Sequence, residues 1–257
     1  MKLSEYKGFL PYLLFPALLV ILFYLLPMDL QSQFAFTPSS PVWYTRFTAS
    51  FFHNNAEHLA SNVWATVAIL LVLWLLARKA KQTDDLWKLF LAIILITPLV
   101  SSTFTQIFLP TMPSGRGASD IVFALLGLIP AYLFLFVEVR EWAYYAPSAL
   151  LAVLLTAAAL QGQTGVAIIL ASLQYALFFY LFQRKGGNLL STDGALMLIA
   201  LSLLPLVILS GFPVNIVYNG SLVGVFQHYV GITLGLLGGA TYLFWVCRWQ
   251  KQSRKRK

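Results

Sequence analysis

The segment Ala118–Val137 reads ASDIVFALLGLIPAYLFLFV, twenty residues of which only Asp120 is charged. At about 1.5 Å of rise per residue, a helix of that length covers roughly 30 Å, the thickness of a bilayer's hydrocarbon core. Seven further apolar runs of about span length flank it: Phe9–Pro27, His58–Ala77, Leu86–Leu109, Trp142–Leu160, Thr164–Phe182, Gly194–Ser210 and Ser221–Val246. The whole chain agrees with this reading. Of its 257 residues 59% are apolar and 10% charged, with a mean hydropathy of +0.77, whereas a soluble domain carries about 25% charged residues. No water-soluble core could hide that much apolar surface, so lipid is the solvent for most of it. A soluble enzyme, a disordered chain, a collagen and a coiled coil are excluded on that ground. The expected fold is an all-α polytopic membrane helical bundle, with the whole chain 1–257 forming one membrane domain. The single cysteine, Cys247, allows neither an intramolecular disulfide nor a CxxC-type zinc site.

Basic residues set the orientation, because cytoplasmic loops accumulate Lys and Arg. With eight spans and the N-terminus inside, fifteen of the seventeen basic residues fall on the inner side, leaving Arg46 and Arg116 outside. The fifth and sixth runs are separated only by the polar stretch Gln161–Gly165, which suits a tight turn between two short helices; a single bent span is the alternative. Merging the two would carry Arg184, Lys185 and the C-terminal cluster to the outer side, so eight spans with both termini cytoplasmic is the preferred count. Six basic residues crowd into the last ten positions and contribute most of the net charge of +8. Residues 247–257 therefore read as a basic cytoplasmic tail, and no nucleic-acid partner is expected. The first run is long for a signal peptide and no small-residue cleavage site follows it, so it is expected to stay as the first helix. No internal repeat of the transporter kind is visible.

Ionisable groups inside a membrane are costly, which makes the few present here candidates for function. His53, His58 and Asn62 stand at the start of the second run, and the spacing of four between His58 and Asn62 puts both on one helix face. Ser119 and Asp120 open the fourth run, and His228 lies about two turns into the eighth. The span count puts all three starts on the outer side. A serine at a helix N-terminus, a histidine on a second helix and a His/Asn pair on a third supply nucleophile, base and oxyanion donors for acyl transfer. Each residue alone has a plainer reading: Ser119 as an N-cap, a histidine as a structural group, or the histidines with Asp120 as the ion path of a transporter. No metal site is expected, since no carboxylate or thiolate stands at ligand spacing from the histidines. No cofactor is implied.

Three stretches carry a family resemblance. Arg46–His53 running on into His58-Leu59-Ala60-Ser61-Asn62, then Gly117-Ala118-Ser119 with Phe123 and Gly127, then His228-x-x-Gly231-x-x-x-Gly235 are similar, in order and internal spacing, to motifs of the rhomboid intramembrane serine proteases. The resemblance implies a six-helix core, here with two extra helices for which 142–182 is the simplest candidate hairpin. It implies Ser119 as nucleophile, His228 as general base and later general acid, and His58, Asn62 and the Ser119 backbone N–H as the oxyanion hole. Phe123 would be the aromatic packed on the imidazole, with Gly117 and His53 in support. Gly231, Gly235 and Gly239 recur every four residues, so one face of the last helix is nearly bare and a neighbour can come close.

The implied activity is hydrolysis of peptide bonds in transmembrane protein substrates near the outer face of the lipid bilayer, in a prokaryotic cell membrane; the oligomeric state is left open. The alternative is an inactive relative that binds transmembrane helices. The chain departs from the family pattern at Asp120, where the motif has glycine. That carboxylate either complements the helix N-terminus or points into the site and opposes the oxyanion. Residues 28–57, rich in aromatics such as Trp43 and Phe47, read as a loop lying in the outer interface. Phe212–Gly220 reads as a cap over the site, and with the seventh span as the expected substrate gate.

Overall fold

A computed structural model describes residues 3–139, 141–211, 217–218, 221–222 and 224–242. Arg140, most of the Phe212–Gly220 cap and the basic tail 247–257 lie outside the described residues. After a 3₁₀ segment, Leu3–Leu13, the helices are α1 (Leu14–Leu25), α2 (Met28–Ser32), α3 (Thr45–Thr48), α4 (Ala56–Lys79), α5 (Thr83–Phe108) and α6 (Ser119–Gly127). They continue with α7 (Ile129–Phe136), α8 (Trp142–Leu160), α9 (Thr164–Arg184), α10 (Thr192–Gly211) and α11 (Val225–Thr241). Among the described residues seven helical stretches are long and apolar enough to cross a membrane, from Gly8–Leu25 to Thr192–Gly211. The eighth run corresponds to α11, which starts at Val225 and not at Ser221, because Ser221–Leu222 pairs in a two-residue hairpin with Val217–Tyr218.

From Asp120 to Phe136 every residue is buried, and the segment forms the axis of the bundle. The outer surfaces of the surrounding helices carry exposed large apolar side chains such as Trp64, Leu95, Ile169 and Leu206. This inversion of the soluble pattern suits a lipid solvent, in which helices satisfy their own backbone hydrogen bonds. The central run is broken into α6 and α7. Pro130 has no N–H to donate, and the Leu128 N–H reaches back only three residues, to Leu125 O at 3.1 Å.

The closest helix pair is α6 with α11, and glycines make it possible. A methyl added at Gly231 would strike the carbonyl oxygen of Asp120, and one at Gly235 would strike that of Ala124 and lie 2.8 Å from the Cα of Gly127. Reciprocally, a methyl on Gly127 would meet Ile232 O and the Gly235 Cα. The two backbones therefore touch without intervening side chains, the small-residue packing that replaces the hydrophobic drive absent in lipid. Tyr145 of α8 ties in the other flank by donating to Leu236 O at 2.8 Å.

The end of the bundle away from Ser119 is latched by polar groups: Lys79 with Asp193 at 2.7 Å, Lys185 with Glu138 at 2.8 Å, and the Tyr242 hydroxyl to Gln82 and Asp85. That end also holds Arg78 and Lys88, whereas Arg116 and Arg46 are at the Ser119 end, donating to Asn54 and Gln106. Residues 142–182 form two helices and not one bent one, with Gly162 at φ +69° in the turn and Gln174 Nε2 donating to Ser148 Oγ at 2.9 Å between them. Between α1 and α4 the chain runs through α2, α3 and a 3₁₀ turn, Ala49–Phe51. Gln31 there is buried and caps α1 by donating to Phe23 O and Leu26 O, and the rings of Phe34 and Phe52 stack at 4.6 Å.

Gly235→Ala is expected to lower stability by about 1–3 kcal/mol, because the methyl meets backbone that cannot yield. Gly238→Ala, whose methyl would have open space around it, is expected to be neutral or slightly stabilising. Reversible unfolding of both variants in mixed micelles checks this; equal effects would contradict the backbone contact.

Candidate functional site

The site begins with the cap of α4. Asn55, in extended conformation, accepts the His58 backbone N–H at 2.8 Å, which starts the helix and fixes His58 in its first turn. One turn later Asn62 stands on the same face, buried, and its Nδ2 donates to His53 Nε2 at 3.0 Å. The Ala118 backbone N–H, which can only donate, reaches the same nitrogen at 3.4 Å. His53 Nε2 is thus an acceptor and the proton sits on Nδ1. Burial, followed by the neighbouring His58 and Arg116, pushes the His53 pKa down to about 3, so this loop imidazole stays neutral.

His58 lies over the chain entering α6. Gly117 has φ +148°, a conformation that favours glycine, and a Cβ there would collide with Cε1 of the His58 ring and sit 2.9 Å from its Nε2. The Gly117 N–H is held by Ala49 O at 3.0 Å. Ser119 follows, half-buried, as the first residue of α6. The internal ladder starts with Val122 N–H to Ala118 O, so the Ser119 N–H belongs to the first turn, where helices have no acceptor of their own.

Asp120 turns away from Ser119. Its carboxylate accepts the Ser50 hydroxyl at 3.1 and 3.2 Å and the Ile121 N–H at 2.8 Å, and it is 4% exposed. Of the two orientations open from sequence, the structure has the one pointing out of the site. Phe123, one turn beyond Ser119, stacks on His228 with ring centroids 4.4 Å apart and planes 11° from parallel. On the far edge of the imidazole, Nδ1 is 2.8 Å from Gly211 O, the last residue of α10. A carbonyl only accepts, so Nδ1 carries the proton and Nε2 keeps the lone pair.

His58, Asn62, Ser119, Phe123 and His228 all line one cavity of about 940 Å³, with Gly211 in its wall and Asn54 and Arg116 at its rim. Asp120 and His53 do not line it. Gly231 and Gly235 contribute the packing beneath. Among the described residues no group of three His, Cys, Asp or Glu could hold a metal ion. Sequence reading missed three contributors: Asn55, a helix-start signal at the head of an apolar run; Ser50, seventy positions from the carboxylate it serves; and Gly211, which acts through its main chain.

The comparisons with known proteins give one match and two blanks. A family model described as "Rhomboid domain" matches residues 40–171, just over half of the chain. That range contains His53, His58, Asn62, Gly117, Ser119 and Phe123, and stops short of α10 and α11. No curated protein and no solved structure matches. With more than half of its length within the family's domain, the chain belongs to the rhomboid family.

Proposed function

We propose that this protein is an intramembrane serine endopeptidase that cuts transmembrane protein substrates near the outer face of the bilayer. The observation that carries the reading is the shared cavity: a serine, a histidine of fixed tautomer and a His/Asn pair from three helices meet in about 940 Å³. In the proposed reaction His228 Nε2 takes the Ser119 hydroxyl proton as Oγ attacks the scissile carbonyl carbon. The oxyanion that forms is held by the Ser119 N–H, His58 and the second Nδ2 hydrogen of Asn62, the first being engaged by His53. His228 then passes its proton to the leaving amine as the C–N bond breaks, and a water molecule, deprotonated by the same nitrogen, hydrolyses the acyl-enzyme.

The basic residues Arg78, Lys79, Lys88 and Lys185 at the opposite end support a cytoplasmic assignment for that end. The cavity then opens on the outer side, with both termini inside. A non-catalytic, helix-binding relative is the second reading, and Asp120 in place of the motif glycine is the observation in its favour. Against it, the Asp120 carboxylate is engaged by Ser50 and does not line the cavity.

The purified protein in detergent is expected to react covalently with a fluorophosphonate probe, and Ser119→Ala and His228→Ala to abolish the reaction. A folded wild type that labels no more than Ser119→Ala would move the assignment to the helix-binding reading. In an active wild type, Asn62→Ala is expected to cost about 10²–10³ in the rate of substrate cleavage, the usual worth of an oxyanion donor. A rate within threefold or so of wild type would remove Asn62 from the oxyanion hole.

A further inference from the structure

The base of the proposed dyad is held at Nδ1 by a main-chain carbonyl. His228 Nδ1 is 2.8 Å from the carbonyl oxygen of Gly211, which is seventeen positions earlier and on a different helix. The same glycine lies against the other ring of the stack. A methyl on Gly211 would collide with Cζ of Phe123 and lie 2.7 Å from its Cε2. Phe123 in turn covers the face of the His228 ring at 4.4 Å. Gly211, Phe123 and His228 thus form a closed set of contacts: carbonyl to ring edge, ring face to ring face, and bare Cα to ring edge. Only a residue without a side chain can present its carbonyl to one ring while sitting flush against the other.

We propose that Gly211 is the positioning residue of the dyad: its main-chain carbonyl holds the Nδ1–H of His228 and so keeps Nε2 in the basic form that faces the cavity. The inference rests on the protease reading for its catalytic meaning, although the hydrogen bond can be tested without it. A neutral imidazole can carry its proton on either nitrogen, and the tautomer with the proton on Nε2 cannot accept from Ser119. The Gly211 carbonyl removes that choice. It also makes the register of α10 part of the site, because Gly211 is the last residue of that helix. A displacement of the end of α10 by 1 Å or so breaks a hydrogen bond of this length, and the base then loses its fixed orientation. Residues on α10 far from the cavity are thereby coupled to the reactivity of Ser119 through one main-chain atom.

The test has a structural arm and a kinetic arm. With histidine labelled by ¹⁵N in the full-length protein in micelles, His228 is assigned against His53→Gln and His58→Gln variants. Its Nδ1 is expected to show the shift of a protonated, pyrrole-type nitrogen; a pyridine-type Nδ1 overturns the proposal. The kinetic arm replaces Phe212 by phenyllactate, which turns the Gly211 amide into an ester and weakens its carbonyl as an acceptor without changing any side chain. This ester is expected to lower the maximal rate of fluorophosphonate labelling about tenfold, leave the probe's apparent affinity unchanged and mix the two tautomers in the spectrum. An unchanged labelling rate in a protein that keeps its fold overturns the proposal. If the wild type shows a pyrrole-type Nδ1 and never labels, the protease reading fails by itself and the Gly211 hydrogen bond stands.

Discussion

Everything at the Ser119 end depends on how closely α11 lies against α6. Two helices in lipid gain little from hiding apolar side chains from one another, since the solvent is as apolar as they are. What draws them together is dispersion between surfaces that fit, and Gly231, Gly235 and Gly127 remove the side chains that would hold the backbones apart. The result is carbonyl oxygens of one helix set against the Cα atoms of the other. His228 stands one turn before Gly231, and Asp120, whose carbonyl Gly231 faces, is the residue after Ser119. The glycine face therefore sets the spacing of the two candidate reactive groups, and substitutions there are coupled to chemistry as well as to stability.

Around that contact polar groups are bonded across elements far apart in sequence, although the buried Nδ1 of His53 has no hydrogen-bond partner among the described residues. His53 takes both the Asn62 amide and the Ala118 N–H, the 3₁₀ turn Ala49–Phe51 holds the Gly117 N–H, and Ser50 holds Asp120. In a low-dielectric interior an unpaired polar group is expensive, and each hydrogen bond that is made ties its two elements together. One short turn, residues 49–53, thus buttresses both the start of α4 and the start of α6. Asp120 fits this economy. Where a glycine would leave the Ser50 hydroxyl to find another acceptor, the carboxylate binds it together with the Ile121 N–H.

The spans were legible because their signal is length and polarity, and both survive without knowledge of the fold. The polar residues that line the cavity stood out for a related reason: His58, Asn62, Ser119 and His228 are conspicuous in runs that otherwise reject polar groups. Orientation was not. Whether Asp120 faces Ser119 or Ser50 turns on a partner seventy positions away, and the start of α11 at Val225 turns on a short hairpin that no hydropathy pattern reveals. Gly211 was invisible for a different reason. Every residue has a carbonyl, so the acceptor that fixes His228 leaves no mark on composition or periodicity, and only the contacts that the end of α10 makes with Phe123 and His228 single it out.

A neutral acceptor in this position has a physical logic. A carboxylate behind the imidazole would stabilise the imidazolium strongly but would have to be buried as a charge, which is costly without a cation to match it. A carbonyl costs far less to bury once it is hydrogen-bonded, and it fixes the tautomer equally well, since both groups only accept. What it lacks is charge to balance the imidazolium that forms when the Ser119 proton is taken. The Phe123 ring, parallel to the imidazole at 4.4 Å, presents its electron-rich face to that transient cation, an attraction of about 0.5–2 kcal/mol that grows with desolvation. In the proposed reaction a carbonyl and an aromatic face divide between them the two tasks that one carboxylate performs in a triad, and they do so without placing a permanent charge inside the membrane.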